Sequence, residues 1–176
     1  MRPAISLVVI ALLATLPPCS PARADEVPAE AAPPAGAVAS PSADPRVGAQ
    51  LDELEYRYEV DRDGDYRLTF DLDEGRSQLV YVISAVERFG AHRVREIWAP
   101  AYRGEAERFP EEVANRLLED AQMQKLGGWV KQGDVAMFVV KIAADASTQA
   151  LDDGIDHAIR AADWMETELT GDTDEF

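Results

Sequence analysis

The sequence predicts an α+β fold in which an antiparallel sheet of about five to six strands carries its helices mainly on one face. Apolar and polar residues alternate on both sides of a turn at residues 62–65, as they do in a β-hairpin. Segments 78–86 and 135–142 are strongly apolar and rich in β-branched residues, which is typical of buried strands. A long segment after Ser147 has apolar residues at helical spacing. The predicted order of elements is α-β-β-β-(β)-α-β-β-α.

The first half of the domain is predicted to consist of one short helix followed by three or four strands. Val47 and Leu51 lie at helical spacing and predict a helix that ends near Tyr56. The alternating segments 56–61 and 66–72 predict a hairpin, because Gly64 between them can adopt a positive φ. Segment 78–86 predicts a central strand, and segment 93–98 predicts a further strand that ends before Pro100. We expect residues 99–109 to form a loop.

The second half is predicted to contain a helix, two strands and a long final helix. Pro110 suits the first position of a helix, and the acidic pair 111–112 is favourable near the positive end of its dipole. We expect the glycine pair 127–128 to end this helix. Strands then follow at 129–131 and 135–142. The final helix is predicted to be capped by Ser147 and closed by Gly171. Its predicted apolar stripe contains Leu151, Ile155, Ala158, Ile159, Ala162, Met165 and Leu169.

Residues 1–24 have the features of a secretory signal peptide. Arg2 provides a positive start, and an apolar run of about a dozen residues follows at 5–16. Ala22-Arg23-Ala24 has the small-x-small pattern of a cleavage site, so we expect cleavage after Ala24. The apolar run is too short to span roughly 30 Å of hydrocarbon, and no later segment is long and apolar enough. We therefore expect a periplasmic or secreted protein without an integral membrane segment.

Cys19 is the only cysteine of the chain. A lipoprotein would carry its lipid on such a residue, but the prolines at positions 17 and 18 are poor residues before a lipidation site. We therefore expect Cys19 to leave with the signal peptide. The mature chain would then contain no disulfide, no catalytic thiol and no cysteine ligand for a metal.

The composition divides the rest of the chain into a linker, a domain and a tail. Residues 25–46 are rich in Ala, Pro and Ser and have few large apolar residues, which predicts a disordered linker with extended polyproline character. We expect the folded domain to occupy residues 47–171. Residues 172–176 form an acidic tail.

The chain is strongly acidic, with a formal net charge of −16. Removal of residues 1–24, which contain two arginines and no acidic residue, gives a mature charge of about −18. Such a charge repels phosphate backbones and anionic lipids, so the sequence argues against nucleic acid and membrane surfaces as partners. Two explanations of the acidity remain. The carboxylates form the solvated surface of an exported protein, or they attract a basic partner.

Asp61, Asp63 and Asp65 place carboxylates at alternate positions, as calcium loops do. An EF-hand also requires Gly at its sixth position and Glu at its twelfth, and this chain has Tyr66 and Leu72 there. We interpret the segment as a hairpin turn. Weak calcium binding at the three aspartates is the alternative.

No pattern in the sequence identifies a catalytic residue, a metal site or a cofactor. His92 and His157 are far apart along the chain and have no cysteine to complete a metal site. No serine lies in a Gly-x-Ser-x-Gly elbow, and the glycine pair 127–128 lacks the lysine of a phosphate-binding loop. Carboxylates are so numerous that a catalytic pair would not stand out.

The segment 95–103 concentrates residue types that are enriched at interfaces between proteins. We predict that Trp98, Pro100, Tyr102 and Arg103 bind a partner. The alternative is that the two aromatic side chains seal the sheet edge against a helix. The acidic face of the final helix also has two interpretations: it is in contact with solvent, or it docks a partner.

Four segments carry a resemblance to a known family. They are the run 51–60 (Leu-Asp-Glu-Leu-Glu-Tyr-Arg-Tyr-Glu-Val), the hairpin Asp63-Gly64-Asp65, the helix start 109–113 (Phe-Pro-Glu-Glu-Val) and the return 127–129 (Gly-Gly-Trp). The chain resembles the YbjN-like family of bacterial sensory transduction regulators, whose fold is similar to that of type III secretion chaperones. The resemblance implies an α-β-β-β-α-β-β-α architecture, a protein-binding role and a homodimer. It transfers no catalytic residue, and the export signal and linker are departures from the family pattern.

We therefore expect an exported, non-enzymatic protein-binding module that is chaperone-like or regulatory. This expectation depends on the two strongly apolar strands. Only three helices are predicted to cover the sheet that contains them, so part of its apolar surface would be left for a partner. The alternatives are a small-ligand or envelope-stress sensor domain and, less favoured, an enzyme that uses carboxylates.

Overall fold

The computed structural model describes residues 42–171 and 173–176. The predicted signal peptide, Cys19 and residues 25–41 of the predicted linker lie outside the described residues.

The described chain contains three helices and a seven-stranded sheet. The helices are α1 (Pro45–Glu53), α2 (Glu111–Met123) and α3 (Thr148–Thr170). The strands are β1 (Glu59–Val60), β2 (Tyr66–Asp71), β3 (Ser77–Val82), β4 (Glu87–Phe89), β5 (His92–Arg103), β6 (Gly128–Gln132) and β7 (Val135–Ala143). This confirms the predicted α+β class and the order of helices and strands. The additional strand is β4, whose three exposed residues have no apolar pattern.

All strand pairs in this sheet are antiparallel, in the order β1-β2-β3-β5-β7-β6, with β4 paired to the start of β5. The predicted hairpin at residues 62–65 is confirmed, because β1 and β2 pair around it and Gly64 has φ +82°. The two longest strands, β5 and β7, pair with each other, and β3 and β5 are the middle strands of the sheet.

The three helices lie on one face of the sheet, where they form the core with it. α3 packs across β3, β5 and β7, and its own Ile155 and Ala158 are fully buried against them. α1 contributes Val47 and Leu51 to the same core. α3 is capped as predicted, because the Ser147 hydroxyl accepts a hydrogen bond from the main-chain N–H of Ala150. The fully buried side chains of the strands on this face include Val80, Val82, Ile97, Ala99, Ala136, Phe138 and Val140.

Two predicted boundaries differ from the structure at the helices. α1 begins at Pro45, two residues before the predicted domain start at Val47, because the Asp44 carboxylate accepts the main-chain N–H of Arg46 and caps the helix. α2 ends at Met123, before the glycine pair. Gly127 has φ +84°, and a Cβ atom there would lie 2.3 Å from the Val139 carbonyl oxygen. This glycine therefore allows a close approach to β7.

The predicted end of a strand at Pro100 is wrong, because β5 continues through Pro100 to Arg103. A β-bulge accommodates the proline: Pro100 pairs with Met137 and Tyr102 with Ala136, which leaves Ala101 as the extra residue. Paired positions of β3 and β5 stop at Tyr81 and Trp98. The buried Gln78 side chain continues the connection, because its Nε2 donates a hydrogen bond of 2.8 Å to the Pro100 carbonyl.

Candidate functional site

The side of the sheet opposite the helices is the candidate functional site, and we call it the open face. Side chains alternate along a strand, so the buried Val80 and Val82 of β3 alternate with Leu79 and Tyr81 on the other side. None of the three helices in the described part of the chain packs on this second side. Its apolar residues on the central strands are Leu79, Tyr81, Trp98, Pro100, Val135, Met137 and Val139.

A groove of about 410 Å³ runs along the middle of the open face. Its walls include Leu79 and Tyr81 from β3, Trp98 and Pro100 from β5, and Met137 from β7. The volume lies within the range of about 300–1,000 Å³ that is common for binding sites. The walls are mainly aromatic and aliphatic side chains, which suit an apolar group.

The bulge at Ala101 decides which of the predicted partner-binding residues lie together. Trp98, Pro100 and Arg103 line the groove. The extra residue shifts the alternation, so Tyr102 pairs with the core residue Ala136 and lies on the helix side. There its ring contacts Phe109 edge-to-face, with 5.7 Å between ring centres. The simple alternation of a strand would have placed Tyr102 beside Trp98 and Pro100.

Three charged groups near the groove, Glu96, Lys141 and Arg103, are paired within the chain. Glu96 accepts a hydrogen bond of 2.9 Å from Trp98 Nε1 and forms an ion pair of 2.8 Å with Lys141. Arg103 contacts Glu175 at 2.6 Å and Asp134 at 3.4 Å. The hydrogen bond to Glu175 raises the pKa of the Arg103 guanidinium above its usual value. Because two carboxylates share this one cation, the Arg103 end of the groove has a net negative charge.

The predicted acidic tail reaches this same end of the groove. The main-chain N–H of Glu175 donates a hydrogen bond of 2.8 Å to the buried Glu166 carboxylate on α3, which also contacts Arg76 at 2.9 Å. Burial raises the pKa of Glu166 above its usual value. Phe176 lines the groove, and the Arg103 guanidinium lies 5.5 Å from the centre of its ring. The tail thereby narrows one end of the groove.

The opposite end of the open face carries a hairpin that the sequence pattern does not predict. β4 and β5 pair with Phe89 opposite His92 and Glu87 opposite Val94, which forms a tight turn at Gly90 and Ala91. Alternation along β5 puts His92 and Val94 on the same side as Trp98. Phe89 therefore belongs to the open face, and 83% of its surface is exposed. We call residues 87–93 the hairpin tip.

The turn at residues 61–65 uses its carboxylates to bind main-chain amides. Asp61 Oδ1 accepts the N–H groups of Asp63 at 2.9 Å and Asp65 at 3.0 Å. Asp65 Oδ1 accepts the N–H of Ser84 at 2.7 Å. Across residues 42–171 and 173–176, no three or more His, Cys, Asp or Glu residues are grouped so that they could hold a metal ion. These contacts favour the hairpin-turn interpretation of the three aspartates.

The two histidines occupy unrelated positions. His92 is exposed at the hairpin tip, whereas the His157 ring on α3 packs edge-to-face against Phe138, with 5.4 Å between ring centres.

No helix of the described chain is long and apolar enough to cross a membrane.

Comparisons with known proteins gave no match: no family model matches the chain, and no curated protein and no solved structure is significantly similar to it. The resemblance to the YbjN-like family therefore stays a prediction.

Proposed function

We propose that this chain is an exported, non-enzymatic protein-binding module, chaperone-like or regulatory in role, that binds an apolar segment of another polypeptide on its open face. The observation that carries the proposal is the uncovered apolar groove between β3, β5 and β7. Leu79, Tyr81 and Trp98 are partly exposed there, and aromatic and aliphatic side chains grouped in this way are typical of surfaces that bind proteins.

The charges around the groove indicate the chemistry of the bound segment. The chain has a net charge of −16, and the Arg103 end of the groove has two carboxylates for one cation. A segment with basic residues next to its apolar anchor would be attracted to this end, whereas an acidic segment would be repelled. The proposed partner segment therefore has one aromatic or large aliphatic side chain flanked by arginine or lysine.

A small-ligand or envelope-stress sensor is the second candidate, because the groove volume of about 410 Å³ also suits a small molecule. The polar groups on the groove favour the polypeptide instead. Trp98 Nε1 and Lys141 are both engaged by Glu96, so few convergent donors remain to orient a small ligand. An enzyme that uses carboxylates for catalysis has less support. The buried carboxylate of Glu166 is already bound by Arg76 and by the main chain of the tail.

A defined peptide tests the proposal directly. The probe is a fluorescent peptide with one phenylalanine between two arginines, and its anisotropy is measured during titration with the full chain. We expect Leu79→Glu to weaken binding at least tenfold, because the substitution places a charge in the groove wall. The matched control is Leu118→Glu on α2, at a residue that is 68% exposed and lies on the helix side.

The proposal fails if Leu118→Glu weakens binding as much as Leu79→Glu, or if a peptide with glutamates in place of the arginines binds equally well. Thermal melts of both variants establish that each is folded. Competition by small apolar compounds with unchanged peptide binding would favour the sensor candidate.

A further inference from the structure

We propose that the tail, residues 173–176, regulates the groove: in the free chain the Phe176 ring occupies the Arg103 end, and a partner segment displaces it to bind. The inference rests on the proposed function, because it concerns the regulation of the same groove. The main chain of the tail is firmly bound, whereas the contacts of the ring are weak. The ring can therefore act as a displaceable internal ligand.

The chain folds back after α3. Gly171 ends the helix with φ +68°, a left-handed conformation that favours glycine. The Thr170 hydroxyl then donates a hydrogen bond of 2.9 Å to the Thr173 carbonyl. The main-chain N–H of Glu175 reaches the carboxylate of Glu166, nine residues earlier on α3. The tail is therefore held beside the last turns of α3.

Two contacts fix the main chain of the tail. The Asp174 carboxylate accepts hydrogen bonds of 3.2 Å from the main-chain N–H and from the hydroxyl of Ser77, the first residue of β3. The Glu175 N–H donates a hydrogen bond of 2.8 Å to the Glu166 carboxylate, which is fully buried. A hydrogen bond to a buried carboxylate is strong and costly to break. The Phe176 side chain is thus presented to the groove from a fixed base.

The contacts of the outer side chains are weaker. Glu175 and Arg103 form an ion pair in which the side chains are 39% and 45% exposed, and exposed ion pairs of this kind contribute little to stability. The Phe176 ring is partly exposed and lies 5.5 Å from the Arg103 guanidinium, which is a modest cation–π contact in water. Rotation of the Phe176 side chain can therefore release the ring while the main chain of the tail stays bound.

The ring lies where the anchor of a partner would bind. The Arg103 end of the groove is lined by Gln132, Val135 and Phe176, and the groove continues from there to Trp98. The proposed partner segment has an aromatic or large aliphatic side chain next to a basic residue, and the charge at this end attracts the basic residue. Two side chains cannot occupy the same closely packed space, so the anchor and the Phe176 ring compete.

The tail has two opposite effects on a basic partner segment. The Glu175 carboxylate contributes to the negative charge that attracts the segment, since it shares Arg103 with Asp134. The Phe176 ring blocks the space that the segment needs. Deletion of the tail would change both effects together. Substitution of the ring alone separates the competition from the charge.

The expected size of the competition follows from the fraction of chains whose groove is open. A ring tied to the site competes at a high effective concentration. The measured Kd for a partner equals the Kd of the open groove divided by the open fraction. If the ring closes about two thirds of the grooves, its removal tightens binding about threefold.

Titration of the fluorescent probe peptide measures the competition. We expect Phe176→Ala to bind the probe at least about threefold more tightly than the wild-type chain. The matched control is Phe176→Tyr, which keeps an aromatic ring at this position and should bind the probe like the wild type. Unchanged or weaker binding by Phe176→Ala overturns the inference, because the ring would then be a bystander or a wall of the site. Equal tightening by both variants overturns it as well.

Fluorine NMR reports the position of the ring without any partner. The chain contains five phenylalanines, and after labelling with 4-fluorophenylalanine the resonance that is absent from Phe176→Tyr belongs to Phe176. We expect its chemical shift to differ from that of the free amino acid and to move towards it as the probe peptide saturates the groove. A shift equal to that of the free amino acid before peptide is added contradicts the inference, as does a resonance that the peptide leaves in place.

The same titrations separate this inference from the proposed function. If the wild-type and Phe176→Ala chains bind the probe equally and Leu79→Glu weakens binding in both, the competition by the tail is refuted and the protein-binding proposal stands. If neither chain binds the probe, the proposed function fails, and the inference fails with it. Binding by Phe176→Ala alone supports both, because the groove would then be competent but closed in the wild type.

Discussion

The two faces of one sheet differ in how completely the chain covers its own apolar side chains. On the helix side, Ile97 and Phe138 are fully buried beneath α3. On the open face, Tyr81 and Trp98 come from the same central strands and remain partly exposed. Both faces are apolar in sequence, but the helices of the described residues all lie on one of them. We therefore expect the helix side to supply most of the stability, with the open face available for binding.

The largest expected effect is a loss of stability on the helix side. Phe138→Ala removes a fully buried ring that contacts Trp129 and His157, and we expect a decrease of about 3–5 kcal/mol in the free energy of unfolding. Tyr81→Ala on the open face should cost about 1 kcal/mol or less, because the ring is already in partial contact with water. Urea denaturation of both variants measures the difference. Equal losses would remove the distinction between the two faces.

The adjacent aromatic residues of β5 provide a second test within a few positions. Tyr102 packs on Phe109, so we expect Tyr102→Ala to lower the free energy of unfolding by about 2 kcal/mol. The same variant should leave binding of the probe peptide close to the wild-type value.

Trp98→Ala should have the opposite profile, with a cost of about 1 kcal/mol or less in stability and a loss of at least tenfold in peptide affinity. The Trp98 ring lines the groove, and its Nε1 donates a hydrogen bond to Glu96 on the same strand. Denaturation and anisotropy of both variants give the two readouts. If Tyr102→Ala weakens binding as much as Trp98→Ala, the assignment of the two rings to opposite faces is wrong.

Periodicity in the sequence predicted the architecture well, because long apolar patterns identify elements and their order. It could not predict the bulge at Ala101, since a proline in a strand is compatible with both an ended strand and a bulged one. The faces of Tyr102 and Arg103 depend on that single residue. β4 was missed because its residues are all exposed, and Phe89 was missed with it. The groove itself comes from three strands that are distant in sequence, and its walls become neighbours only through the pairings of β5.

The smallest expected effect concerns pH and the attachment of the tail. Burial raises the pKa of Glu166, so the folded chain binds a proton at this site at pH values where the unfolded chain has released it. The free energy of unfolding contributed by Glu166 should therefore fall as the pH rises from the usual glutamate value of about 4.3 through the raised value of the folded chain.

Glu166→Gln should make the dependence of stability on pH flatter in this interval, because the glutamine does not titrate. Its side chain can still accept the main-chain N–H of Glu175, and Arg76 retains Asp163 at 2.7 Å. The control is Glu168→Gln, since the hydrogen bond to Arg116 lowers the pKa of Glu168 and its removal should act at lower pH. Chemical denaturation at a series of pH values measures both slopes. A slope unchanged by Glu166→Gln would mean that this carboxylate titrates alike in the folded and unfolded chain.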